Sequence, residues 1–189
     1  MDKRYLCDLA ERGVPVPDTV TVFSTQQVQD TLLKRRWDCA VLKPAIGQSG
    51  NGVRLVHSGD RLEKFLEPQI LQPWLSQIRK GELSMVFLNG DYSHAVLRRP
   101  PDGEWRANSQ YGVQLTPAVP PDIAIKTGLA CLASLPDRPL YARIDGLMVE
   151  ECFLLTELEL IEPALFLDIV PEAAGRFADA VRTRLRSEA

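Results

Sequence analysis

Apolar and polar positions along the chain change period block by block, and each change marks an element. In Asp2–Gly13, Leu6, Leu9 and Ala10 share one helical stripe, so the segment reads as a helix with Asp2 as its cap and Gly13 as its stop. Val14-Pro15-Val16-Pro17 is an extended connector, because each proline pushes its predecessor out of the helical region. Val20–Phe23 then reads as a strand, and Thr25–Arg36 as a helix entered through Ser24. The apolar run Cys39–Lys43 predicts a buried strand ending in a charge. The glycine-rich stretch 44–52 suits neither helix nor strand, and Val53–Val56 is a strand again. Together these predict a hairpin, followed by a short helix over Asp60–Glu67 and a strand over Gln69–Trp74.

From Glu82 the period turns to two. Leu83–Leu88 and Tyr92–Arg98 predict strands joined at Asn89-Gly90, a strong hairpin turn. Pro100–Gly112 is polar and irregular, long enough to suggest a functional loop. A helix is predicted over Ile123–Ser134 and a second hairpin over Tyr141–Val149 and Phe153–Leu160. The last helix, Pro171–Arg186, puts Ala173, Phe177, Val181 and Leu185 on one face. The fold class is α+β in two lobes, residues 1–75 and 76–189.

Composition narrows the function classes. The 189 residues, 45% of them apolar, are enough to bury a core. With 22 basic against 25 acidic side chains the net charge is −3, which offers no electrostatic pull toward nucleic acid. No apolar run is long enough for a membrane span and the opening residues lack a signal peptide's apolar centre, so no membrane partner and a cytoplasmic location are expected. The four cysteines are scattered without a C-x-x-C pair, which argues against a zinc or redox motif.

Three constellations carry chemistry. Gly47, Gly50 and Gly52, with Gln48, Ser49 and Asn51 between them, can present bare backbone N–H groups to an anion beside the Lys43 ammonium. A plain turn between two strands reads the same way. In the second hairpin, a three-residue loop over Glu150–Cys152 sets Asp145 opposite Glu157, with Glu159 on the same face and Arg143 beside them. Two carboxylates about 5 Å apart repel by about 3 kcal/mol at an effective dielectric near 20, so the group calls for a cation. All-oxygen ligation selects Mg2+ or Mn2+. A solvated face partly neutralised by Arg143 is the other reading. Third, the strand end Gln72-Pro73-Trp74-Leu75 offers the Pro73 carbonyl and the Leu75 N–H to a flat base, and Glu82 could take two ribose hydroxyls. A packing tryptophan and a surface acid fit as well. His57 and His94 lack a nucleophile partner. Arg98-Arg99, and Arg106 with Asn108, flank the irregular loop, where they could meet an anionic substrate or lie solvated.

Taken in order, these pieces resemble the ATP-grasp family of carboxylate–amine ligases. Lys3 resembles its first nucleotide lysine, and Val41-Leu42-Lys43-Pro44 with Gly47, Gln48, Ser49, Gly50 and Gly52 its second lysine and phosphate lid. Gln72, Pro73, Trp74 and Leu75 resemble the adenine hinge, and Glu82 the ribose acid. Arg143-Ile144-Asp145 and Glu157-Leu158-Glu159 resemble the metal strands, with Glu159 where the family usually has asparagine. The segments Gly81–Phe87, Tyr92–Val96 and Glu157–Pro163 are most similar to the branch that contains the O-ureido-serine cyclo-ligase of D-cycloserine biosynthesis.

The resemblance implies an ATP-grasp fold, two lobes with antiparallel sheets enclosing a nucleotide cleft. It implies ATP and Mg2+ (or Mn2+) as cofactors, an amino-acid-like carboxylate as substrate, and an acyl-phosphate intermediate. Lys3 and Lys43 would neutralise transferring charge, Asp145, Glu157 and Glu159 would hold the metal, and Arg98, Arg106 or Arg143 would face the acyl phosphate. Relatives also carry a further domain ahead of the first lysine. Its expected absence here implies self-association through the opening helix, at Leu6, Leu9 and Ala10, or a truncated, non-catalytic ATP-binding module.

Overall fold

A computed structural model of the protein describes residues 2–47 and 50–187. The chain divides into two compact units, Met1–Glu11 with Val16–Ser76, and Arg12–Pro15 with Gln77–Ala189.

In the first unit, α1 (Tyr5–Glu11), β1 (Val20–Val22), α2 (Thr25–Arg35), β2 (Cys39–Pro44), β3 (Arg54–His57) and β4 (Gln69–Pro73) follow in order. The four strands form one antiparallel sheet in the order β1-β4-β2-β3. Ser24 caps α2 by accepting from the Gln27 N–H at 3.2 Å, and Arg36 ends it in the left-handed region at φ 56°. Ala40, Leu42, Val56 and Leu71 alternate onto the face that packs with Val28 and Leu32 of α2. By the same alternation Val41 and Lys43 project from the opposite face.

Two expectations fail here. Asp2 does not cap the opening helix: it pairs with Ile46 in an isolated bridge, and its carboxylate takes the Arg4 N–H at 3.0 Å and the Arg4 guanidinium. Leu6 and Leu9 are buried within the chain itself, while Ala10 of the same helix is exposed. Residues 60–67 form no helix. Eight residues nucleate a helix poorly, and tertiary bonds win. The Asp60 carboxylate accepts from His57 N–H at 2.7 Å, Gln29 accepts from Gly59 N–H at 2.8 Å, and Leu62 and Phe65 pack on the α2 core.

The second unit contains β5 (Glu82–Leu88), β6 (Asp91–Arg99), β7 (Gln114–Ala118), α3 (Asp122–Ala133), β8 (Tyr141–Val149), β9 (Cys152–Glu159) and α4 (Ala173–Ser187). Its five-stranded sheet is antiparallel throughout, in the order β7-β6-β5-β8-β9. Asn89 and Gly90 both take positive φ, 47° and 78°, as the tight β5–β6 turn requires. Helix α3 covers one face so closely that a Cβ on Gly128 would lie 2.4 Å from Phe87 Cζ. Helix α4 covers part of the other face, over Val86, Leu88 and Val96.

Strand β7 is absent from the sequence reading because Pro117 interrupts it. Proline is tolerated there since β7 is an edge strand and needs only one side of its backbone for pairing. The buried side of α4 is also narrower than expected. Ala173 and Ala180 are buried with Phe177 packed beside them, while Leu185 stays exposed past the edge of the core.

Candidate functional site

The second unit gathers its charged residues by strand register. Glu82 on β5 lies directly across from Arg98 on β6, and Ser84 across from Asp145 on β8. Asp145 in turn faces Glu157, and Arg143 faces Glu159, on β9. Because these positions differ by two along each strand, their side chains leave one face of the sheet.

The pairing of Asp145 with Glu157 is the expected one, reached by another route. The β8–β9 turn has two residues rather than three, since Val149 pairs with Cys152. A β-bulge between Asp145 and Gly146 then adds the missing step, leaving Thr156 as the extra residue. It shows in the burial pattern: buried Phe153 and Leu155 are two apart, but the next buried residue, Leu158, is three further on.

One ion network runs through this face. Arg98 Nη2 donates to Glu82 Oε2 at 2.5 Å and to Asp145 Oδ2 at 2.7 Å. Arg143 grips Asp145 from the other side, Nε to Oδ1 at 3.0 Å and Nη2 to Oδ2 at 3.0 Å, and its Nη2 also reaches Glu159 Oε1 at 2.6 Å. Thr156 Oγ1 donates to Glu82 Oε1 at 2.6 Å. The Arg143 guanidinium also lies over the Phe166 ring, 5.7 Å from its centroid.

Burial and charge pull these groups apart in acidity. Burial alone would raise Asp145, but Arg98 and Arg143 outweigh it and hold the carboxyl below the usual range. Burial raises Glu82, with Asp145 adding to the effect and Arg98 only partly offsetting it. Burial pushes Glu159 up to about 7, with Arg143 opposing and the Asp145 and Glu157 charges adding.

Asp145, Glu157 and Glu159 each bring a carboxylate oxygen within 4.8 Å of the others. Arg98 and Arg143 supply much of the compensation that the sequence reading assigned to a metal. With Glu82 and Glu159 pushed toward their neutral forms the two guanidiniums can balance the remaining acids; ionising both leaves two negative charges, which a cation would compensate. The donors are all oxygen, so the residues present fit a hard divalent cation.

Arg98 differs from expectation, buried inside the acid network rather than placed beside the irregular loop, whereas Arg143 lies beside the acids as the hairpin register put it. Arg106 is in that loop. It is bonded to Glu104 (Nη2 to Oε2, 2.7 Å) and stacked 3.8 Å from the centroid of the Tyr111 ring. The Arg106 hydrogen bonds hold the Glu104 carboxyl down to about 2. His94 is structural: one ring nitrogen meets the Leu165 carbonyl at 2.7 Å and the other the Ser93 hydroxyl at 2.9 Å.

In the first unit, the opening segment is tied to the glycine loop. Lys3 N–H donates to the Ala45 carbonyl at 2.7 Å and Lys3 Nζ to the Gly47 carbonyl at 2.6 Å. Gly50 and Gly52 take positive φ, 69° and 72°, and a Cβ on Gly52 would lie 2.9 Å from Pro44 Cγ. Gln48 and Ser49 lie outside the described residues. Gln72 is buried and donates from Nε2 to Thr19 Oγ1 at 2.9 Å. Trp74 N–H donates to the Cys39 carbonyl at 3.0 Å, so the pairing with β2 continues one residue past Pro73, and Leu75 follows it.

Residues 11–119 match the family described as prokaryotic glutathione synthetase, ATP-grasp domain. That is more than half of the chain. The chain belongs to the ATP-grasp family. Among its relatives, the cycloserine biosynthesis protein DcsG of Streptomyces lavendulae is 30% identical, over 98% of this chain and 70% of that protein. The glutathione synthetase of Thermosynechococcus vestitus is 30% identical over 54% of this chain, which spans only 35% of that enzyme. The crystal structure of D-cycloserine synthetase DcsG superposes with a TM-score of 0.81 at 27% identity, covering 97% of this chain and 70% of that one. The D-alanine–D-alanine ligase of Bacillus anthracis complexed with ATP shares the fold, with a TM-score of 0.71 at 18% identity over 99% of this chain and 67% of that one. ATP-grasp relatives of this kind are ligases, and the fold is a mixed α/β one with two antiparallel sheets. Among the described residues no helix is long and apolar enough to cross a membrane.

Proposed function

We propose that the chain is the ATP-binding part of a Mg2+-dependent ligase that joins an amino-acid-like carboxylate to an amine or similar nucleophile. The observation that carries this reading is the acid face of the second unit. Asp145 is held ionised by two arginines, and Glu157 and Glu159 each bring a carboxylate oxygen within 4.8 Å of it. Bound to these three acids, Mg2+ would neutralise the phosphates of ATP and orient them.

The chain's own residues then divide the work. Lys3 and Lys43 would neutralise charge on the transferring phosphoryl group, and Gly47, Gly50 and Gly52 would let backbone N–H groups approach it. The backbone of Gln72–Leu75 would take the adenine edge, and Glu82 the ribose hydroxyls. The substrate carboxylate attacks the γ-phosphate, ADP leaves, and the nucleophile displaces phosphate from the acyl phosphate. No side chain need form a covalent bond. Arg106, held by Glu104 and Tyr111 in a polar loop, is the guanidinium we assign to the substrate's anionic end. Arg98 and Arg143 instead serve the acids. The ATP in the Bacillus anthracis ligase structure supports the nucleotide assignment through a shared fold. The working place of such a reaction is the cytoplasm, where ATP and Mg2+ are supplied.

Titration calorimetry with ATP and Mg2+ tests the reading. Lys43→Met should weaken nucleotide affinity by about tenfold or more, since a charge-assisted contact to phosphate is lost. An unchanged dissociation constant would sink the assignment.

A further inference from the structure

In a regular ladder Thr156 would leave the sheet on the face opposite Glu157 and Glu159. The bulge removes that alternation. Thr156 is the extra residue on β9, and its hydroxyl turns to the acid face, where it meets Glu82 Oε1 at 2.6 Å. The contact spans the sheet: β8 lies between β5 and β9, so the two backbones are about 10 Å apart, two strand spacings. The bulge sits at Gly146 because no larger residue fits. A Cβ there would lie 2.3 Å from Phe153 Cζ and 2.6 Å from the Leu154 carbonyl oxygen.

Glu82 is thereby held at both oxygens, by Thr156 on Oε1 and by Arg98 on Oε2. Each carboxylate oxygen has a second lone pair. A side chain pinned in this way presents those remaining lone pairs in a fixed direction, as recognition of two neighbouring hydroxyls requires. An unpinned glutamate would have to give up its rotamer freedom on binding. We propose that Thr156 is a positioning residue for Glu82, turned to the site face by the bulge so that this carboxylate can select a ligand with a vicinal diol. The inference rests on the reading above that Glu82 meets the ribose of ATP.

The test compares ATP with 2′,3′-dideoxyATP by titration calorimetry in Mg2+, on the wild-type chain and on Thr156→Val, Thr156→Ser and Glu82→Gln, with a melting temperature for each. The wild-type chain should prefer ATP by about tenfold or more, the scale of a hydrogen bond to a charged group. Thr156→Val, which keeps the shape and removes the hydroxyl, should bring that preference to about twofold, and Thr156→Ser should restore it. A folded Thr156→Val that keeps the full preference overturns the inference. So does one that weakens both nucleotides equally while lowering the melting temperature, since that is a packing role. If the wild-type chain does not prefer ATP, or if Glu82→Gln keeps the full preference, the ribose reading of Glu82 fails and the inference fails with it.

Discussion

The glycine hairpin of the first unit and the acid face of the second both carry candidate site residues, but they are built on opposite terms. In the first unit Gly50 and Gly52 take left-handed φ, and the Lys3 ammonium lies against the Gly47 carbonyl. On the second sheet, charged side chains are buried in a finished lattice of ion pairs, with Asp145 fully enclosed. The first arrangement rests on backbone conformation and one lysine contact. The second is part of what holds the unit together, so function and stability should separate in one and coincide in the other.

Removing Arg98 should break the second region hardest. Arg98→Met leaves Glu82 and Asp145 buried without one of their counter-ions, and losing one partner of a buried pair typically costs about 3–5 kcal/mol. Urea unfolding would show this as a fall in the midpoint. A loss below about 1 kcal/mol, the scale of a surface pair, would mean that the network is solvated and the contrast false.

Two glycine replacements sharpen the contrast at smaller scale. Gly146→Ala forces a methyl group onto Phe153 and the Leu154 carbonyl and should cost about 2 kcal/mol, as overpacking does. Gly52→Ala meets mainly the backbone penalty of left-handed φ, about 1 kcal/mol, with some contact to Pro44. Equal losses, or the reverse order, in the same unfolding measurement would show that the hairpin is as tightly constrained as the sheet.

The smallest effect is in pH. Glu159 titrates at about 7 in the folded chain against an ordinary value of 4.5, so folding favours its protonated form. Its contribution is therefore fully present below about pH 4.5 and is lost as pH rises through about 7. Without metal, wild type should lose about 2–4 °C in melting temperature relative to Glu159→Gln across that window. A constant difference between the two proteins would show that Glu159 is not held against its charge.

Much of this contrast was legible in the residues. Ser24, Asn89-Gly90 and the alternation of Leu158 with its acids placed a helix start, a turn and a site face without further help, because each is a local rule. The Asp145–Glu157 pairing was also legible, although through a turn one residue too long and without the bulge that offsets it. What stayed hidden was of longer range. Arg98 looks like a loop arginine until β5 lies between β6 and β8, and only then does its guanidinium stand between Glu82 and Asp145. Residues 60–67 have the composition of a helix, but the Gln29 bond to the Asp60 carbonyl and the core on which Leu62 and Phe65 pack come from elsewhere in the chain. Thr156 shows as the extra residue only once Leu155 and Leu158 are known to be the buried leucines, since Leu154 and Leu158 fit a regular alternation.

The strand order also has a consequence for how the site comes into being. Strands β5, β6 and β7 join through neighbouring pairings, as do β8 and β9, and such local closures are fast. The β5–β8 seam alone must bring distant segments together, and the Arg98–Asp145 bond that crosses it joins residues 47 positions apart. Loop-closure entropy makes that joining the late one. Before it, Arg98 is matched by Glu82 in one half, while Arg143 faces three acids, Asp145, Glu157 and Glu159, in the other. Docking adds Asp145 as a second partner of Arg98, so the groups expected to do the chemistry also close the last seam of the sheet.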